Sequence, residues 1–257
     1  MERRTFAAVL VSLIFAPLVV CVTPIRGEAK EALKDMNASK YFYDERQLNL
    51  AVAISKNDAS SILQSLDDGA DVNYIGQDGM TPLLWALSNN NLKAFSILLD
   101  TGANPNLTTR AGSDQTADTS PMELAAALED SKFLKALLDH GGDPDLSIGS
   151  SGRSVLYQAA RHRRFSNIRL LVDRGAQIDH RNTSGSTALM ESVSAKSFDV
   201  ALTLLELGAD PAIKDRWGYN VADTVKLFGS KGVASGTKNY CAYQELVEEL
   251  DRRGLMK

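Results

Sequence analysis

Residues 74–106 read YIGQDGMTPLLWALSNNNLKAFSILLDTGANPN. Gly76 to Met80 has the composition of a tight finger. Thr81-Pro82 then opens a helix through Leu83, Leu84, Trp85, Ala86 and Leu87, because a threonine hydroxyl caps the free N–H groups and proline tolerates the first helical turn. Asn89 to Asn91 form a turn. A second helix carries Phe95, Ile97, Leu98 and Leu99 until Gly102-Ala103, where glycine supplies the left-handed backbone that ends helices.

The unit recurs. Gly-Ala or Gly-Gly follows an apolar helix at Gly69, Gly102, Gly141, Gly175 and Gly208, at intervals of 33, 39, 34 and 33 residues. The helix openings keep step: Thr81-Pro82-Leu83, Ser120-Pro121-Met122, Ser154-Val155-Leu156, Thr187-Ala188-Leu189 and, less regularly, Asn220-Val221-Ala222. Periodicity of this kind marks a chain of stacked supersecondary units.

In its period, its Thr-Pro-Leu and its Gly-Ala stops the chain resembles the ankyrin-repeat family from about Asp44 to Leu255. The resemblance implies an all-α fold with short β-hairpin fingers, a solenoid of about six units at 44–73, 74–106, 107–145, 146–179, 180–212 and 213–257. The histidine that usually follows Thr-Pro-Leu is replaced by Leu84, Glu123, Tyr157, Met190 and Asp223, so other groups must set the local finger geometry.

Residues 1–29 differ from the rest. Arg3 and Arg4 precede an apolar run from Phe6 to Val22, and Gly27-Glu28-Ala29 places small residues where a signal peptidase reads. We read a secretory signal ending at Ala29, which implies a periplasmic protein; the rivals are a lipid on Cys21 and an uncleaved anchor, for which a run of 17 residues is short of the span of about 20. Residues 1–29 hold three of the 28 basic and two of the 32 acidic side chains, so the remainder carries 25 against 30, a net charge of −5. An acidic surface is a poor match for nucleic acid. Of the two cysteines, only Cys241 then remains, and it reads as a buried thiol in the last helix.

Residues 30–43 read as a spacer ending in a lid, Tyr41-Phe42-Tyr43. In the first unit Leu48, Val52 and Ile54, then Ile62, Leu63 and Leu66, have helical spacing, without a Thr-Pro opening. Arg110 to Thr119 has loop composition and makes the third finger longer than its neighbours. A closing helix over Tyr240–Arg253 buries Leu246, Val247 and Leu250 and turns glutamates outward. The loop from Gly229 to Gly236 has its Lys and Thr in the wrong order for a phosphate loop, and no Gly-x-Ser-x-Gly elbow occurs. His140, His162 and His180 fall at three different repeat positions. Glu123 and Glu191 read as single carboxylates on solvated helix faces. We therefore expect no enzyme, no cofactor and no metal.

In the family, finger tips and inner helices line a concave groove that holds a protein partner. The resemblance places Gln77, Asp78, Met80, Trp85 and Asn89 in that groove, with Arg153, Gln158, Arg161 and His162, then Glu191, then Arg216, Trp217 and Tyr219. Trp85, Trp217 and Tyr219 are the expected anchors, since aromatic residues and arginine dominate interface hot spots. Arg161, His162, Arg163 and Arg164 form a dense basic cluster which, with Arg153, is expected to steer an acidic partner. In layout the chain resembles the immunity partners of antibacterial effectors, including type VI secretion phospholipases. The alternative is an envelope scaffold or a stress-protective partner of a resident periplasmic enzyme.

Overall fold

The structure, a computed structural model, describes residues 37–111, 117–228 and 236–257. The signal segment, the start of the spacer and most of the glycine loop lie outside the described residues. Twelve α-helices and two short strand pairs are found among them. The chain divides into two compact units, Met1–Pro121 with Ala136–Gly142 and Met122–Lys135 with Asp143–Lys257.

In the first unit, Asp44 caps α1 (Glu45–Lys56) and Asp58 caps α2 (Ala59–Asp67), each carboxylate accepting from two backbone N–H groups. The Thr81 hydroxyl accepts from Leu84 N at 3.1 Å and Pro82 fills the first position of α3 (Pro82–Ser88), whose seven residues are all buried. Two turns are too short to be a stable helix in water. Neighbouring modules hold α3 in place. The Trp85 indole donates to Ala51 O and Ser55 Oγ of α1, both at 2.9 Å, and Asn91, ahead of α4 (Leu92–Asp100), donates to the Ile54 carbonyl at 2.5 Å, beside Asn57 N, which donates to the same carbonyl. A second ladder ties the loops. Asn73 donates to Gly102 O and accepts from Asn104 N, and Asn106 donates to Gly141 O.

Tyr41 and Phe42 close over Trp85, with ring centroids 5.8 and 5.9 Å away, while Tyr43 stays exposed. Helical spacing alone does not mark the buried face of the first module. That face is Gln47, Leu50, Ala51 and Ile54 of α1 with Ile62 of α2, and Val52 and Leu63 are exposed, because they lie away from the following module. In the long third finger, whose residues 112–116 lie outside the described ones, the two sides are paired strands. β1 (Thr109–Ala111) and β2 (Ala117–Thr119) pair antiparallel in the register Thr109↔Thr119 and Arg110↔Asp118. β1 packs so closely on the preceding finger that a Cβ at Gly79 would run into the Arg110 carbonyl, and Thr109 Oγ1 donates to Gly79 O at 2.8 Å.

The second unit takes up at Met122, in α5 (Pro121–Ala127), followed by α6 (Lys132–Asp139), whose residues from Ala136 belong to the first unit. Then come β3 (Ser147–Ile148) paired with β4 (Arg153–Ser154), α7 (Val155–Arg161), α8 (Phe165–Asp173), α9 (Ala188–Ser194), α10 (Phe198–Glu206), α11 (Val221–Phe228) and α12 (Lys238–Arg252). Ser154 and Thr187 cap α7 and α9 as Thr81 caps α3. Asn220, the irregular opening, caps through a reciprocal pair in which Asp223 N donates to Asn220 Oδ1 and Asn220 N donates to Asp223 Oδ2. Asp223 thus does local work at the position where the family carries histidine.

The inter-module ladder continues here. Asp145 accepts from Gln177 N and Asp179 accepts from Asp210 N; the equivalent next position is Ala212, which has no side-chain acceptor. Asn167, fully buried in α8, donates to the carbonyls of Ala125, Ala126 and Leu128 at the end of α5. Two further expectations are corrected. Cys241 is exposed, because the buried stripe of α12 is Tyr243, Leu246 and Leu250 and residue 241 lies nearly opposite Tyr243. Val247 is only half-buried, and Glu249 turns back to pair with Arg252 and Arg253.

Replacing Asn167 by alanine removes the side-chain donor that the carbonyls of Ala126 and Leu128 share at the end of α5, and opens a void. Stability should fall by about 2–3 kcal/mol, read as a lower urea midpoint, and Asn167→Asp, which keeps the size and removes the donor, should not restore it.

Candidate functional site

The fingers are built to hold their tips still. In the first unit Gly76 N donates to Met80 O at 2.8 Å and Gln77 N donates to Tyr41 O at 2.8 Å. Gln77 is exposed and Asp78 half-buried, but Met80 is buried. Trp85 is 0% exposed, sealed by Tyr41 and Phe42 with its indole N–H committed to α1, so it packs the module and anchors no partner. Asn89 is half-buried and donates to the Trp85 carbonyl at 2.8 Å.

In the second unit the basic cluster is largely absorbed by the fold. Arg163 holds a left-handed turn position and its guanidinium pairs with Asp199. Arg164 donates through Nε to Ala127 O at 2.7 Å. His162 is half-buried with Nε2 shut from solvent, and burial, then the charges of Arg161 and Arg164, push its pKa down to about 4. The imidazole is therefore neutral at neutral pH, Arg161 is half-buried, and the cluster does not project four cations as its sequence implied. Arg153 lies over the Tyr157 ring, 4.8 Å from its centroid, with Nη2 4.0 Å from Glu191 Oε1. Glu191 also accepts from Asn182 at 2.9 Å. Gln158 is buried and donates to Glu123, which is itself buried, so both belong to the interior instead of a solvated face. Beside these groups, Arg153, Tyr157, His180, Asn182 and Glu191 line a cleft of about 10 Å³, room for a water and for no metabolite.

The fingers of α9 and α11 share one construction. Asn182 Oδ1 accepts from Ser184 N and Ser186 N, and Asp215 Oδ1 accepts from Trp217 N at 2.9 Å and Tyr219 N at 3.0 Å. Asp215 N closes the turn on Tyr219 O at 2.9 Å, and Gly218 takes the positive φ of 85° that the turn needs. Arg216 N donates to Ser184 O at 3.0 Å, joining the two tips. On this frame Trp217 is 69% and Tyr219 51% exposed, beside an exposed Arg216. Sequence reasoning missed two companions, Arg181 and Lys214. Both are exposed and both stand immediately before the turn-forming Asn or Asp, so aligning the modules on that residue would have placed them side by side. Arg181 Nη2 donates to the Lys214 carbonyl at 2.8 Å.

Comparison with known proteins agrees with this construction. The family profile described as ankyrin repeats (3 copies) matches residues 48–148 and 122–215. SH3 and multiple ankyrin repeat domains protein 2 of Homo sapiens is 24% identical over 192 residues, 74% of this chain and 10% of that protein. Protein PhlB of Serratia liquefaciens is 37% identical over 86 residues, 33% of this chain and 37% of that protein. The chain thus spans well under two thirds of either relative. Among solved structures, an ankyrin repeat domain from Acinetobacter baumannii AYE shares 26% identity with a TM-score of 0.62, covering 79% of this chain and 97% of that one. The ankyrin repeat protein EF0377 is similar at 27% identity and TM-score 0.62, over 78% and 96%.

The histidines make the fold sensitive to pH in opposing senses. His162 has its folded pKa below the unfolded value, so the stability it contributes is present above about pH 6.5 and lost as pH falls through about 4. His140 is raised by its hydrogen bond to Asp100, 3.0 Å from Nε2, then by Ala136 O, so its contribution is present below about pH 6.5 and lost as pH rises through its folded value. Between neutral pH and pH 4 the urea midpoint of the second unit should drop, and His162→Gln should flatten that drop while His140→Gln leaves it in place.

Proposed function

The chain belongs to the ankyrin-repeat family, and on that premise we propose that it is a non-enzymatic protein-binding module of the bacterial periplasm. Its specific role in this reading is immunity: it binds and neutralises an antibacterial effector such as a type VI secretion phospholipase. The observation that carries the binding role is the finger from Asp215 to Tyr219. Two bulky aromatic side chains stand in solvent on a turn already fixed by four hydrogen bonds among its own residues and one to the neighbouring finger. A group held in its bound position before contact loses little freedom on binding, which is how rigid binders reach high affinity. Export is supported by the Arg3-Arg4 pair, the apolar run and the small residues around Ala29. The immunity role is supported by layout: neighbouring tips tied to each other, as Arg216 N to Ser184 O ties the last two, suit occlusion of an enzyme's entrance.

The test is co-expression of the full chain, signal included, with a type VI secretion phospholipase directed to the periplasm. Cells should survive with the wild-type chain and lyse with Trp217→Ala/Tyr219→Ala, whose Kd for the effector should rise at least about 30-fold with an unchanged thermal midpoint. Failure of the wild-type chain to protect, or full protection by the double variant, overturns the reading.

A further inference from the structure

We infer that the surface recognised by the last finger is an acidic protein surface with an apolar socket at its centre. This rests on the protein-binding reading above and specifies the chemistry of the partner. The finger tip carries Arg181, Lys214 and Arg216 around Trp217 and Tyr219. Among the described residues the side chains of Lys214 and Arg216 meet no carboxylate within ion-pair distance. The one carboxylate of the tip, Asp215, is folded inward, its Oδ1 taken by two backbone N–H groups. Arg181 is held forward by Nε on Gly185 O at 3.1 Å and Nη2 on Lys214 O at 2.8 Å. A Cβ at Gly185 would run into the Arg181 guanidinium and the backbone N and Cγ of Arg216, so this buried glycine leaves room for both residues at the tip.

The physical consequence is a concentrated positive tip on a chain of net charge −4. Elsewhere in the same unit exposed arginines are matched: Arg163 with Asp199, Arg169 with Glu206, Arg252 with Glu249. Cations left without an internal partner around exposed aromatics act on an approaching surface. They speed encounter with negative charge and repel positive charge, while the desolvated aromatic core holds the complex once formed. Steering thus belongs to this finger, in place of the basic cluster at Arg161–Arg164.

The probe is a set of short synthetic peptides with a Leu-Phe centre flanked by Asp and Glu, each matched to a version with Asn and Gln, titrated into the mature chain by calorimetry. Trp217 reports binding by a blue shift, since Trp85 is already buried. The acidic peptides should bind roughly fivefold to tenfold more tightly than their neutral versions at low salt. That preference should vanish at high salt and in Lys214→Glu/Arg216→Glu, and Trp217→Ala should abolish the binding. No binding, equal binding of acidic and neutral peptides, or a preference that survives the charge reversal overturns the inference. So does association with vesicles of phosphatidylethanolamine and phosphatidylglycerol that is lost in the same variants, which would make the tip a membrane contact. If the effector assay fails while the acidic preference holds, the immunity role falls and this inference stands; the reverse result leaves immunity and removes this inference.

Discussion

A helix of seven residues cannot satisfy its own ends. Each of the inner helices α3, α5, α7 and α9 is that short, leaving backbone donors and acceptors open across almost its whole length. The donors are met from within the module by Thr81, Ser154 and Thr187. Acceptors are met from the module that follows, by Asn91 for the end of α1 and by Asn167 and Arg164 for the end of α5. A module is therefore incomplete until its neighbour folds against it, and stability in each unit is cooperative between nearest neighbours.

That dependence also explains why the tips are rigid although the fingers are loops. Backbone groups that no helix or sheet employs are taken by Asn182 and Asp215 within the finger and by the preceding finger at Thr183 N to Ser151 O and Arg216 N to Ser184 O. Once the backbone is satisfied inward, side chains at the tip have nothing left to do for the fold. Trp217, Tyr219 and Arg216 are free to differ without cost, which is the usual condition of a recognition surface.

The architecture was legible because its punctuation is local. Thr-Pro openings and Gly-Ala stops act on the residues beside them, so their spacing alone gave the modules. What escaped the sequence depends on distant partners. Trp85 has the composition of an anchor, and only the arrival of Tyr41 and Phe42 from the chain ahead of it makes it core. Arg163 and Arg164 look like a surface cluster until Asp199 and the end of α5 are brought to them. Glu123 and Gln158 sit 35 positions apart and are buried only by meeting each other. Val52 and Leu63 obey helical spacing, yet the side that gets covered is set by where the next module lies. The exposed pair Trp217 and Tyr219 was readable because the turn that carries them, Asp215 to Tyr219, is closed mostly by its own residues.

Ala212 occupies the rung where Asn73, Asn106, Asp145 and Asp179 stand in the earlier modules. With only a methyl there, the last module is joined to the one before it without this rung, and its hold rests on the finger bond from Arg216 N to Ser184 O and on ring packing such as Phe198 against Tyr243, centroids 5.3 Å apart.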